Sequence, residues 1–412
     1  MELTRRELLE MAAMLALAGR ADARTAAGGT DADGVAQRAS VVIRGYSAEG
    51  LHRTATRVDR VSAGRLLTLA RAAGASARLE RFELSRVDPV AAFVEIGGDR
   101  IEGLPMFDGR FTDADGVRGP IGPLGIDRPI GWTLIAPNGE AALRRLRASS
   151  THRAIVAVTT GDRPGLCPVN AASFTEPFGP PVLLIPSELV EPIERAADAG
   201  KDVRVVANVK RQKAEAFNVV AEVAGTQPAL PPVCVMTPRS GWNANASERG
   251  GGLACWLETL RAVVAARPAR TVKFVASSGH ELGHLGLHAY LARNPTLGRS
   301  AFAWVHLGAN IGTSTGDTAM TPSDEPLAAA ALGALAPQGL EKIRRTPATQ
   351  VGGEAATISD EGGRFVSFIG RNAWFHNPRD LWPDAVDVAA VARFAQAIAD
   401  LTISLANTQD LV

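Results

Sequence analysis

From Phe217 onward the chain alternates two hydrophobic patterns. Short runs that are apolar at nearly every position, "FNVVAEV", "VCVM", "TVKFVAS" and "AFAWVHL", predict strands buried on both faces. Other stretches place apolar residues three and four apart. In "LACWLETLRAVVAA" Leu253, Trp256, Leu257 and Leu260 form one stripe; from Ala385 to Ala406 Val386, Ala389, Val391, Phe394 and Ile398 form another. Apolar strands separated by amphipathic helices predict an α/β fold, with a mostly parallel central sheet and helices on both faces.

The first half reads differently. Residues 24–100 contain a helix, "GRLLTLARAAG", and a strand, "ARLERFEL", which we assign to the same α/β domain as residues 214–412. Between them, residues 101–213 are broken by "GPIGPLG" and "FGPPV" into short strands such as "RAIVAV" and "PPVLLIP", which predicts a small β-rich domain inserted in the first. Residues 1–23 carry Thr-Arg-Arg, a short apolar stretch and Ala21-Asp22-Ala23. This pattern is similar to a twin-arginine export signal with its cleavage site, predicting a periplasmic or extracellular protein; a surface helix of a cytoplasmic protein is the alternative.

Composition narrows the function. The 44 Lys and Arg balance 43 Asp and Glu to a net charge of +1, which leaves no basic footprint for nucleic acid. No apolar run reaches the roughly 20 residues of a membrane span, so none is expected. Cys167, Cys234 and Cys255 are too far apart for a metal knuckle and too few for a disulfide scaffold. There is no G-x-S-x-G elbow, and "SERGGGLA" lacks the lysine of a phosphate loop. Trp242, Trp374 and Trp382 flank the site segments, as core residues or as walls of an apolar pocket.

Chemistry concentrates around "SGHELGHLGLHAY", Ser278 to Tyr290. Five of the seven histidines fall between 280 and 376, and imidazole is the commonest metal ligand and general base. His280, Glu281 and His284 spell H-E-x-x-H, the zinc motif of one protease class when it lies on a regular helix. Gly279, Gly283 and Gly286 interrupt such a helix, and the spacing of a third ligand is wrong. The apolar strand "TVKFVAS" also runs straight into the motif, placing it where open α/β sheets hold their ligands.

These segments resemble a known family. "TVKFVASSGHELGHLGLHAY" is similar to the strand and Gly-Glu-Glu-x-G-x-x-G loop of the zinc exopeptidases that include bacterial leucyl aminopeptidases, transferrin-receptor-like proteins and glutaminyl cyclases. The likeness continues, in the family's order, through "FNVVAEVAG", "VCVMTPRSGW", "NASERGGGLACWLETLRA" and "WFHNPRDLWPDAVD". The resemblance implies that residues 101–213 are a protease-associated domain. It also implies a co-catalytic pair of zinc ions, five ligands and a glutamate base. By position the first His ligand falls on Thr237, its supporting Asp on Arg239, the bridging Asp on Glu248, the base on His280, the next Glu ligand on Glu281, the next Asp on Gly308 and the last His on His376.

Thr237 and Gly308 are thus degenerate positions of one ion, while Glu248, Glu281 and His376 remain for the other. Arg239 places a cation beside the lost site; at ~5 Å it would repel another unit charge by about 3 kcal/mol at an effective dielectric of 20. The expectation is one zinc ion on Glu248, Glu281 and His376 with an open fourth position. His280 serves as general base or fourth ligand, with His284 and His306 in reserve or in ordinary packing roles, as with His288. The expected function is metal-dependent hydrolysis of a small peptide or amide. The alternatives are a non-catalytic binding or scaffold protein on the same fold, and glutaminyl-cyclase-like cyclotransfer.

Overall fold

The structure is a computed structural model that describes residues 32–410; the twin-arginine stretch and its cleavage site lie outside the described residues. Fourteen strands are described. They are β1 (Ser76–Ile96), β2 (Asp99–Glu102), β3 (Leu104–Pro105), β4 (Val117–Pro123), β5 (Ile130–Ile135), β6 (Ala154–Thr159), β7 (Val182–Ile185), β8 (Asp202–Val223), β9 (Val233–Pro238), β10 (Val272–Ser277), β11 (Ala303–Leu307), β12 (Thr318–Pro322), β13 (Arg344–Arg345) and β14 (Phe365–Gly370). The described helices are α1 (Ala32–Ala48), α2 (Arg57–Ala72), α3 (Glu140–Ala148), α4 (Val190–Asp198), α5 (Gly250–Ala266), α6 (Leu285–Arg293), α7 (Leu297–Ser300), α8 (Glu325–Leu335), α9 (Glu354–Asp360) and α10 (Val388–Asn407).

The centre of the sheet is parallel, in the order β10-β9-β11-β14, with β8 antiparallel on one side and β12 antiparallel on the other. Every residue of β9 and β11 is buried, which explains their unbroken apolar runs. One face packs Ile43 of α1, Trp256 and Leu260 of α5, Leu327 of α8 and Ile398 of α10 into the main core. The opposite face packs Leu287 and Tyr290 of α6 and Ile358 of α9 against Trp304. The α/β architecture with helices on both faces is therefore as expected. Three helices start where side chains satisfy free backbone N–H groups: Thr56 accepts from Asp59 N at the start of α2, Asp324 from Leu327 N at the start of α8, and Asp387 from Ala390 N at the start of α10.

Among the described residues α10 is long and apolar enough to cross a membrane by length and composition alone. Here it is a core helix, packed on α1, α5 and α8.

The two long strands β1 and β8 pair antiparallel from Ser76↔Glu222 to Ile96↔Val203, with a bulge between Pro89 and Ala91. Proline cannot donate to a ladder, so the bulge falls where the sequence requires it. One end of this ribbon joins the main core. The other end carries β2 to β7, α3 and α4, whose apolar residues form cores of their own around Ile130, Val156 and Leu183, and around Leu143 and Ile155. Strand β8 runs unbroken through position 213.

Candidate functional site

Four parallel strands end on one edge, and the loops that leave them build the site. Arg239 and Ser240 follow β9, His280 and Glu281 follow β10, Gly308 to Asn310 follow β11, and Arg371 and Asn372 follow β14. A cleft of about 1220 Å³ opens above this edge. Its floor includes Arg249 and His280, and one wall comes from residues 136–140 and 160–162 of the β2–β7 layer.

The H-E-x-x-H segment is not an α-helix. His280–Leu282 form a single 3-10 turn between Gly279 (φ 86°) and Gly283 (φ 78°), and His284 is itself left-handed (φ 60°). Helix α6 starts only at Leu285. Gly286 admits no other residue, because a Cβ there would stand 2.1 Å from Ser278 O. His280 and His284 therefore stack as rings, with centroids 5.0 Å apart, rather than projecting one turn apart from a helix. The zinc-helix reading has no structural basis in this loop.

Glu281 is buried, and both carboxylate oxygens are engaged. Oε1 accepts from Thr54 N at 2.8 Å and Thr54 Oγ1 at 2.6 Å; Oε2 accepts from Ser240 Oγ at 2.6 Å. Glu248 is fully buried beside Arg249, whose Nη2 lies 2.8 Å from Glu248 Oε1. His376 Nε2 lies 3.4 Å from the same oxygen. Burial raises the Glu248 pKa, but the charges of Arg249 and His376 outweigh it and hold the carboxyl down at about 2. Beneath it, the Asp380 carboxylate accepts from Ser247 N and Glu248 N, and burial pushes it up to about 7. His376 Nδ1 sits 2.6 Å from Pro168 O, which leaves Nε2 toward Glu248.

His280 is buried, and its Nδ1 lies 3.7 Å from Glu354 Oε1. Burial, reinforced by Arg249, holds His280 well below its ordinary pKa, so its ring is neutral. Glu354 also accepts from Ser277 Oγ at 2.5 Å. His284 Nδ1 meets Thr357 Oγ1 at 3.1 Å and His306 Nδ1 meets Ser367 Oγ at 2.8 Å; burial lowers each to about 3. His288, on α6, also lines the cleft.

The degenerate positions have structural roles. Thr237 is fully buried and donates to Leu307 O at 2.8 Å, tying β9 to β11. At Gly308 a Cβ would stand 2.6 Å from Ile369 Cγ1 and 3.0 Å from His306 Cε1, so a side chain there must displace both. Arg239 corrects the sequence reading of a bare cation beside the site. Its Nη1 lies 2.9 Å from Asp59 Oδ1 and donates to Asp59 O, and its Nη2 donates to Phe217 O. Arg249 lines the cleft together with Arg344 and Arg371, and sequence reasoning missed it although it adjoins Glu248. Thr54, Ser240 and Glu354 were missed as well. Trp242 is a buried core residue edge-on to Phe107, with Nε1 donating to Asn170 Oδ1.

No protein-family model and no curated protein matches the chain. Solved structures do. A peptidase M28 precursor from Shewanella amazonensis SB2B superposes with a TM-score of 0.74 at 16% identity, over 92% of this chain and 97% of that one. BSAP, a zinc aminopeptidase from Bacillus subtilis, gives 0.71 at 14% identity, over 93% and 97%. An aminopeptidase from Aneurinibacillus sp. strain AM-1 gives 0.69 at 17%, over 92% and 95%. The chain has the aminopeptidase fold.

That fold raises the question of zinc, and the side chains answer it. Glu248 and His376 lie close together, and neither the Glu248 oxygens nor His376 Nε2 has a hydrogen-bond partner. Yet the third expected ligand, Glu281, is held by Thr54 and Ser240, and a guanidinium stands against Glu248 where positive charge is wanted. Among the described residues no three His, Cys, Asp or Glu side chains are grouped to hold a metal. The aminopeptidase fold is present here with a set of side chains that does not fit the ion.

Proposed function

We propose that the chain is a binding protein for small peptide-type ligands, built on the aminopeptidase fold and working without zinc hydrolysis. The observation that carries this reading is the placement of Glu281. One amide and two hydroxyls take three of the carboxylate's roughly four lone-pair sites, so a metal or a metal-bound water would compete with Thr54 and Ser240 for it. The ligand class follows from the solved structures sharing the fold, which are named as aminopeptidases and a peptidase. The cleft is polar where such a ligand would lie: Arg249 and His280 at its floor, Asn170 and Asn372 at its walls. We read residues 101–213 as the protease-associated domain that forms one wall, and residues 1–23 as the export signal.

A second reading remains the single-zinc hydrolase with His280 as base. It is favoured by the buried Glu248 and His376 pair, 3.4 Å apart and otherwise without hydrogen bonds on the facing atoms. The test uses full-length protein purified without chelator. Zinc per chain is measured by plasma mass spectrometry, leucyl-p-nitroanilide hydrolysis by absorbance, and Gly-Leu binding by calorimetry. The proposal expects no stoichiometric zinc, no hydrolysis with added zinc, and saturable Gly-Leu binding. One zinc per chain with chelator-sensitive hydrolysis would establish the second reading instead.

A further inference from the structure

We infer that Arg249 is an internal cation standing in for the metal, and that this one side chain closes a metal site otherwise part-built in the fold. The inference deepens the metal-free reading above and rests on it. Glu248 is fully buried, and an uncompensated carboxylate at that depth is strongly disfavoured. Its compensation comes from Arg249 Nη2 at 2.8 Å. Arg249 is fixed by Nε donating to Ser240 O at 2.8 Å, so the guanidinium is anchored to the loop after β9 and cannot move off without losing that bond. The same loop supplies the Ser240 hydroxyl that binds Glu281. One short segment therefore holds the substitute cation in place and engages the Glu281 carboxylate.

The other pieces of a site remain. Both Glu248 oxygens, His376 Nε2 and His280 Nδ1 are buried without hydrogen bonds. His376 is presented by Nδ1 against the Pro168 carbonyl, the arrangement that orients a metal-binding imidazole. Arg249 Nη1 is likewise buried without a partner, and Arg249 lines the cleft. The guanidinium thus does two of an ion's jobs in fixed form. It neutralises Glu248, and it keeps a donor for an acceptor oxygen of a ligand.

The experiment is zinc titration of wild type and Arg249→Asn, read as zinc per chain and as the zinc-dependent shift of the thermal midpoint. Wild type is expected to take up no stoichiometric zinc. Arg249→Asn is expected to bind about one ion per chain, as a site with one open position does, and to lose it on adding Glu248→Gln. If Arg249→Asn does not fold, the pairing is read by a double-mutant cycle of Glu248→Gln and Arg249→Met, in which the double variant is less destabilised than the sum of the singles. A folded Arg249→Asn that takes up no zinc, or a cycle that is strictly additive, overturns the inference while leaving the metal-free reading standing. Stoichiometric zinc and hydrolysis in wild type overturn both.

Discussion

The guanidinium of Arg249 and the carboxylate of Glu248 meet at 2.8 Å with both side chains buried, although the two residues are adjacent in the chain. Both residues precede α5, with Arg249 at its N-cap position. Here the chain enters α5 through the left-handed Asn245 (φ 51°), and Arg249 turns back to Ser240. Removing the acid leaves an isolated buried cation. Glu248→Gln is expected to cost about 3–5 kcal/mol of stability, the usual effect of breaking a buried pair from one side. Urea unfolding measures it; a loss below about 1 kcal/mol would show that Arg249 finds compensation elsewhere.

Ser240 is expected to matter more than an ordinary serine. Its hydroxyl donates to Glu281 and accepts from Gly279 N at 2.7 Å, linking the loops after β9 and β10. Ser240→Ala leaves a buried carboxylate oxygen short of a donor, a cost of about 1–3 kcal/mol. Guanidinium unfolding midpoints compare the two proteins, and a midpoint equal to wild type would mean that Glu281 does not depend on this hydroxyl.

Placing an acid at Gly308, where the sequence resemblance puts an aspartate, is expected to fail. In Gly308→Asp the new Cβ would stand 2.6 Å from Ile369 Cγ1, well inside van der Waals contact. Overpacking of this kind costs about 1–3 kcal/mol, and the added buried charge raises the figure. Calorimetry should show a lower melting temperature whether or not zinc is present. A variant as stable as wild type would show that the strand ends are looser than described.

The pH dependence of stability follows from groups moved in opposite directions. His52, His284 and His306 are each lowered by burial to about 3. The unfolded chain protonates them below about 6.5, so the stability they contribute is present above that value and lost as pH falls toward 3. Glu49 and Asp380 are raised by burial to about 7. Their contribution is present below the ordinary carboxylate range and lost as pH rises through 7. Between pH 6.5 and about 4.5 the histidine losses, to which His280 adds, outnumber the two carboxyl gains and are only partly offset by them. Below that range only losses remain, and Glu248 adds another as its carboxyl titrates toward about 2. Thermal midpoints by circular dichroism should fall gently from pH 6.5 to 4.5 and steeply below. A flat profile down to pH 3.5 would contradict this.

Periodicity exposed the elements from β8 to β11 and α10, because fully buried parallel strands and one-sided helices leave clear marks in a sequence. The segment from Thr318 to Gly370 left weaker marks. It contains short strands, with β13 only two residues long, and the seven-residue α9, which are too brief to show a period. The site was legible as a set of positions but not as a set of contacts. Nothing in the sequence joins Arg239 to Asp59, 180 positions away, or Thr54 to Glu281, 227 positions away. Side-chain direction decides what Glu281 contacts, and direction is set by partners that only the folded chain brings together.

The paired strands β1 and β8 have a further consequence. They run from the main core into the layer that carries the far wall of the cleft, paired on both sides of the one bulge between Pro89 and Ala91. A wall mounted on a two-stranded ribbon does not swing on a loose strap; it bends as a twisted ribbon bends. The aperture above Arg249 is therefore set largely by strand register. Variation in its opening is left to side chains and short loops at the rim.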